Sequence, residues 1–224
     1  MLISAHIPKT GGTSFRVILE RSFKERLKLD YDDHPLAHST NLRNESASTG
    51  AFSTHSDLTE HFDCIHGHFL PLKYSGIKNA QFITWLRDPV QRLVSRYLYG
   101  KWTWESGSAS PRQEELKAFI EKRRRYPSLE QFVGIETFQN TYSKYFWGFD
   151  VQQFEVIALV ERWDESIDRL HYLLGEIVDA EVHINQNLNQ EDLVYEVAET
   201  TRRLIENANQ ADVKMYSEVL KGFH

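Results

Sequence analysis

Ile7-Pro8-Lys9-Thr10-Gly11-Gly12-Thr13-Ser14 follows an apolar run, Leu2 to Ile7, and precedes a helical pattern that opens with Phe15 and Val17-Ile18-Leu19. That order reads as strand, glycine turn, helix. Such a turn aims backbone N–H groups and the positive end of a helix dipole at one point, which suits a phosphate or another anion. Gly11 and Gly12 let the backbone approach that ligand closely. Thr10, Thr13 and Ser14 add hydroxyl donors, and Lys9 adds a positive charge on a flexible stem. Two familiar nucleotide loops do not fit. In G-x-x-x-x-G-K-[ST] the lysine follows the glycines, whereas Lys9 precedes them, and G-x-G-x-x-G is absent.

Outward from the turn, strands and helices alternate. Asp63 to His68 reads as a second strand. Gln81 to Leu86 is a firmer one, β-branched and aromatic, and it stops at Arg87-Asp88-Pro89. Pro89 suits the first turn of a helix with Asp88 as N-cap, and Val90, Leu93, Val94 and Tyr97 continue at helical spacing. Phe154 to Val160 is a third clear strand and Val182 to Ile184 a short one. Helices are expected over 114–125, 129–132, 138–147, 164–174, 193–205 and 211–220. Asp57 and Glu60 have capping-box spacing and read as a short helix start. Residues 30–55, rich in His, Ser, Asn and Thr, read as a long loop. The pattern predicts an α/β fold: a P-loop-like, three-layer arrangement with a mainly parallel central sheet flanked by helices. In such sheets ligands sit beyond the carboxyl ends of the strands, where the glycine turn and Arg87 both fall.

A chain of 224 residues can build one domain with a sizeable core, so 1–224 is expected to be a single unit. The net charge of −6 argues against a non-specific nucleic-acid binder. No run approaches the ~18 apolar residues of a membrane span. The strand-and-loop start leaves no room for a signal peptide or anchor, which predicts a cytoplasmic protein. The single cysteine, Cys64, fits a reducing compartment and reads as a small buried residue. Lys117, Lys122, Arg123, Arg124 and Arg125 form a basic run. It reads either as a patch for an anionic acceptor or, more commonly, as a solvated helix end.

Two further constellations carry chemistry. Arg87 at a strand exit and Ser95 two turns into the next helix make a guanidinium fork plus a hydroxyl, a small phosphate clamp. His66 and His68 occupy alternate strand positions and so share a face. A histidine of near-neutral pKa can take a proton from a hydroxyl nucleophile. His-x-His can also hold zinc, but no Cys pair or His-x-x-x-His supplies further ligands. A structural role for both histidines is the third reading. Tyr99, Trp102 and Trp104 beyond the Arg87 helix read as core residues, with a sugar-stacking platform as the alternative.

The string Pro8 to Ser14 resembles the 5′-phosphosulfate loop of sulfotransferases that use 3′-phosphoadenosine 5′-phosphosulfate (PAPS). The likeness is greatest to the carbohydrate branch, which includes heparan sulfate 2-O- and 6-O-sulfotransferases. Arg87-Asp88-Pro89-Val90-Gln91-Arg92-Leu93-Val94-Ser95-Arg96-Tyr97 resembles the 3′-phosphate element of the same family, and His66-Gly67-His68 the His-Gly-His of the 2-O-sulfotransferases. The resemblance implies an enzyme that moves a sulfuryl group in line from PAPS to an acceptor hydroxyl, on a carbohydrate or another small molecule, without a metal. It implies that Lys9, Thr10, Gly11, Gly12, Thr13 and Ser14 hold the 5′ end and that Arg87 and Ser95 hold the 3′-phosphate. It makes His68 the general base, His66 its auxiliary, and Lys9 a stabiliser of charge on the leaving group. As a long polar loop, the 30–55 stretch is expected at the acceptor side. Asn140 to Tyr145, Ala158 to Ser166 and Asp212 to Tyr216 resemble later family segments, with Val160 and Trp163 in place of Thr and Phe. His183 to Gln190 stands where the family often has a basic loop over PAPS, yet it holds no Lys or Arg. The alternatives are a P-loop-like nucleotide kinase, which needs Mg²⁺, and a non-catalytic nucleotide-binding relative.

Overall fold

A computed structural model describes residues 1–53, 55–174 and 194–222. Strand β1 (Leu2–Ala5) leads through the glycine turn into helix α1 (Gly12–Phe23). Then come β2 (Leu27–Asp30), α2 (Thr40–Ala51), α3 (Ser56–His61), β3 (Cys64–Gly67), β4 (Gln81–Leu86) and α4 (Pro89–Glu105). Helices α5 (Glu114–Arg123), α6 (Leu129–Val133) and α7 (Thr141–Tyr145) precede β5 (Phe154–Leu159), and α8 (Trp163–Leu174), α9 (Glu199–Ala208) and α10 (Gln210–Lys221) follow it. The five strands form one sheet in the order β2-β3-β1-β4-β5, and every pairing is parallel. This is the expected α/β, P-loop-like architecture.

The interior strands are apolar because both faces are covered. Every residue of β1 and β3 is buried, and in β4 only Gln81 is exposed. Phe15, Ile18 and Leu19 of α1 and Ile167 and Leu170 of α8 pack on one face, against Leu2, Cys64, Ile83, Trp85 and Val156. Tyr142 and Tyr145 of α7 and Tyr216 of α10 join the cluster on the other face, with Ile3, Ile65, Phe82 and Leu86. A third cluster ties α4 to α5, α6 and α9 through Leu93, Tyr97, Leu116, Phe132 and Ile205. Among the described residues no helix is long and apolar enough to cross a membrane.

Several sequence expectations change. The 30–55 stretch is not a plain loop: it carries a short 3-10 turn at Pro35–Ala37 and the whole of α2, capped by Ser39. Its weak apolar periodicity hid the helix, because only Arg43 and Ala47 are buried on it. Asp57 does not cap α3. The N-cap is His55, in a left-handed conformation with φ 51° and no side-chain cap bond. β2 was not foreseen. It is a four-residue edge strand of alternating Leu and charge, too short to signal itself. The 193–205 helix begins at Glu199 and ends at Ala208. The Val182 to Ile184 strand and the His183 to Gln190 loop lie outside the described residues. The basic run is the exposed end of α5, with Arg124 at the C-cap and Lys117 paired to Glu114 at 2.7 Å.

Candidate active site

β1 lies between β3 and β4, and the chain leaves it toward one side of the sheet and returns on the other. The carboxyl ends of β1, β3 and β4 therefore border the crevice where open parallel sheets bind ligands. The glycine turn, the His66–His68 pair and Arg87 all lie at these ends.

Gly11 is the N-cap of α1, with a left-handed φ of 77° that glycine adopts without strain. Gly12 is tighter, because a Cβ there would stand 1.8 Å from His6 Nε2. The glycine thus makes room for a histidine ring. No acidic residue stands in the first turn of α1, so its free amides keep their positive field. Thr10 is buried, and its hydroxyl donates to the Ile7 carbonyl at 2.8 Å, which ties the turn together. Thr13 is exposed and Ser14 partly exposed.

The Lys9 ammonium stands over the Tyr99 ring, 4.4 Å from its centroid. Burial, then Arg96 and Arg87, bring its pKa down to about 8. Among the described residues neither Lys9 nor Arg96 has a carboxylate within 4.0 Å. Arg96 donates to Gln113 at 3.4 Å and lies over Phe138. The sequence reading passed over Arg96, although it adjoins Ser95 in the same motif. Tyr99 and Trp102 do not enter the core as expected. They are 49% and 61% exposed, with centroids 6.3 Å apart. Trp104 does pack, against the α4 cluster.

Arg87 and Ser95 are both buried. The Arg87 guanidinium stacks on Tyr195, 5.3 Å from the centroid, and the Tyr195 hydroxyl donates to Ser95 Oγ at 3.5 Å. Tyr195, unforeseen from sequence, thus bridges the two clamp residues, and its own backbone bonds both ways with the Gln91 side chain. The backbone at Arg87 is held just as firmly. Tyr142 accepts from the Arg87 amide at 3.1 Å and donates to its carbonyl, and the Tyr142 amide donates to Asp212 at 3.1 Å. Asp88 caps α4 by accepting from the Gln91 amide, as expected, while its own amide donates to Glu161 at 2.8 Å. The later segments at 140–145, 158–166 and 212–216 therefore converge on the exit of β4.

His66 and His68 do share a face, and a third histidine joins them. His6 stacks on His66 with centroids 5.3 Å apart and lies 4.4 Å from the His68 ring. Tyr31 closes the group, edge-on to His68 at 4.8 Å and with its hydroxyl 3.4 Å from His6 Nδ1. The signal for His6 was present. Ser4 pairs in register with His66, so His6 two residues on falls on the same face. His66 is fully buried, and its Nδ1 lies 2.9 Å from Ser4 Oγ. His68 is partly exposed, and its Nδ1 donates to the His6 carbonyl at 2.7 Å. Burial, followed by its two histidine neighbours, holds His6 well below the usual range. Burial, then His68, takes His66 down to about 3. Burial also brings His68 to about 4, against the raising effect of its bond to His6. Among the described residues no group of three or more His, Cys, Asp or Glu is arranged to hold a metal ion.

The family model described as "Sulfotransferase family" matches residues 1–217. The chain belongs to the sulfotransferase family. Members of that family use PAPS as the sulfate donor, so the protein is a PAPS-dependent sulfotransferase rather than a nucleotide kinase. The crystal structure of a sulfotransferase from Alicyclobacillus acidocaldarius superposes with a TM-score of 0.51 at 14% identity, over 97% of this chain and 94% of that one. That likeness speaks for the shared fold. A search of curated proteins finds no match. The sulfotransferase assignment suits the cationic half of the crevice, where among the described residues neither Lys9 nor Arg96 has a carboxylate within 4.0 Å and where PAPS would bring anionic groups at both its 5′ and its 3′ end.

Proposed function

We propose that this sulfotransferase sulfates a carbohydrate hydroxyl, with His68 as general base. The observation that carries this reading is the bond from His68 Nδ1 to the His6 carbonyl. A carbonyl only accepts, so the Nδ1 proton is committed and Nε2 is left with its lone pair. The low pKa keeps that ring neutral at physiological pH. PAPS supplies the sulfuryl group and departs as 3′,5′-phosphoadenosine. As the acceptor oxygen bonds to sulfur, its proton passes to His68 Nε2, and the sulfur–oxygen bond to the 5′-phosphate breaks with its electron pair on the phosphate.

Lys9 and the amides of Gly11, Gly12, Thr13 and Ser14 face the charge that builds on the leaving phosphate. Thr10 holds the turn in shape. Arg87 and Ser95, bridged by Tyr195, receive the 3′-phosphate. His66 never meets the acceptor. It supports His6 and, through it, His68. Donor charge set beside Arg96, whose field disfavours protonation of His68, raises the basicity of His68 when the proton must move. Exposed Tyr99 and Trp102 offer flat faces to a sugar.

The test is transfer of labelled sulfate from PAPS to a panel of glycosides in the presence of a chelator, beside a thermal-shift comparison of 3′,5′-phosphoadenosine with ATP–Mg²⁺. Stabilisation by phosphoadenosine alone and labelling of a glycoside are expected. Labelling confined to non-sugar acceptors overturns the carbohydrate assignment.

A further inference from the structure

The 30–55 stretch and Leu70 enclose a cavity of about 250 Å³, walled by Asp32, Asp33, His38, Leu42 and Arg43 among others. Arg43 is 8% exposed, and among the described residues its Nε has no hydrogen-bond partner and no carboxylate lies within 4.0 Å of it. A buried guanidinium N–H without a partner is costly, and the Arg43 side chain that carries it lines the cavity. The cavity wall also joins the surroundings of the proposed base. Asp32 of the wall follows Tyr31, whose ring stands edge-on to His68 with centroids 4.8 Å apart, and Leu70 follows His68 by two residues.

The wall carries both signs of charge. Asp33 is shared with Lys73 at 3.0 Å, and Lys73 also binds Asp30 at 2.7 Å. One lysine therefore serves two carboxylates, and Asp32 adds a third. A carboxylate or sulfate entering the cavity would meet Arg43 but would face Asp32 and Asp33. An ammonium would meet the aspartates but would face Arg43. A neutral polyol satisfies all of them, because each hydroxyl donates to a carboxylate and accepts from a guanidinium. Leu42, Leu70 and Pro35 supply apolar wall for the C–H face of a ring. The volume is below the ~300–1,000 Å³ of sites for drug-sized ligands, which matches one ring rather than several.

We propose that this cavity is the acceptor subsite and that it takes a single uncharged sugar ring. The proposal rests on the sulfotransfer reading above. Its test compares methyl glucoside, methyl glucuronide and methyl glucosaminide, which differ in charge on one ring, binding to the full chain with phosphoadenosine present. The glucoside is expected to bind at least about tenfold tighter than either charged ring. Asp32→Asn should narrow the gap to the glucuronide, and Arg43→Met the gap to the glucosaminide, each about threefold or more. Equal or tighter binding of the glucuronide by the wild-type chain overturns the proposal, as does failure of all three sugars to bind. If the charge order holds and both variants shift it, but no sulfate reaches the glucoside, the subsite stands and the chemistry assigned to His68 falls. If sulfate transfer proceeds and neither variant alters the charge order, the chemistry stands and the subsite falls.

Discussion

The glycine turn and the histidine cluster lie at the same end of the same sheet, yet their electrostatics are opposite. Around the turn, Lys9, Arg87 and Arg96 crowd together, and their mutual repulsion is part of what depresses the Lys9 pKa. Beside it, His6, His66 and His68 pack ring against ring, and burial holds their pKa values down. The first region is built to be short of negative charge, the second to be short of protons. The proposed transfer uses that division, with one side to hold a departing anion and the other to accept a proton. The two halves touch where the His6 ring fills the space left by the missing side chain of Gly12.

Removing the proposed base separates the halves most sharply. His68→Gln is expected to lower kcat by about 10²–10⁴-fold while phosphoadenosine still raises the melting temperature as in the wild type. Retained turnover would move the base elsewhere, and lost nucleotide binding would place His68 in the donor half. Next in size is Arg87→Ala. Loss of charge-assisted hydrogen bonds to a phosphate should weaken phosphoadenosine by about 10–100-fold. Adenosine 5′-phosphate, which lacks the 3′ group, should bind as before. An equal loss for both nucleotides, measured by calorimetry, would remove Arg87 from the 3′ clamp.

The same contrast explains what could be read from sequence. The cationic half is contiguous: Pro8 to Ser14 and Arg87 to Arg96 each declare a strand exit and the helix after it, and β4 and α4 begin where expected. The neutral half is scattered. His6 sits inside an apolar run, Tyr31 just past an edge strand of four residues, His66 on a third strand and His68 one residue beyond its end. Only the parallel registers of β1 and β2 with β3 bring them together. Tyr195 was invisible for the same reason, since its link to Arg87 and Ser95 spans some hundred residues of chain. The α2 cavity wall was hidden differently. A helix with two buried residues has almost no apolar stripe to detect.

Acid should damage the neutral half first. His66 and His68 hold pKa values of about 3 and about 4 in the folded protein, against about 6.5 when unfolded. Between pH 6.5 and 4 the unfolded chain takes up protons that the folded chain refuses, so stability falls as pH falls. Each histidine contributes up to about 1.4 kcal/mol per pH unit in that window. Urea midpoints at pH 7 and pH 5 measure it, and His66→Asn should flatten the slope while lowering the plateau. A wild-type midpoint that does not move between these pH values would mean that the cluster is not held neutral.

Base should damage the cationic half instead, and by less. The Lys9 pKa of about 8 is set by burial and by Arg96 and Arg87, all acting against its charge. A bound anion acts for its charge, so the complex holds the Lys9 proton more tightly than the free protein does. Linkage then requires phosphoadenosine affinity to fall as pH rises through 8, by at most about tenfold between pH 7 and 9, because the helix amides do not titrate. Lys9→Arg separates this effect from every other titration. Arginine stays charged throughout, so the variant's affinity should be flat with pH even if it is lower in absolute terms. A wild-type profile that is already flat would mean that the turn amides hold the 5′ end without Lys9. The lysine, resting over Tyr99, would then be recruited only as the leaving group gathers charge.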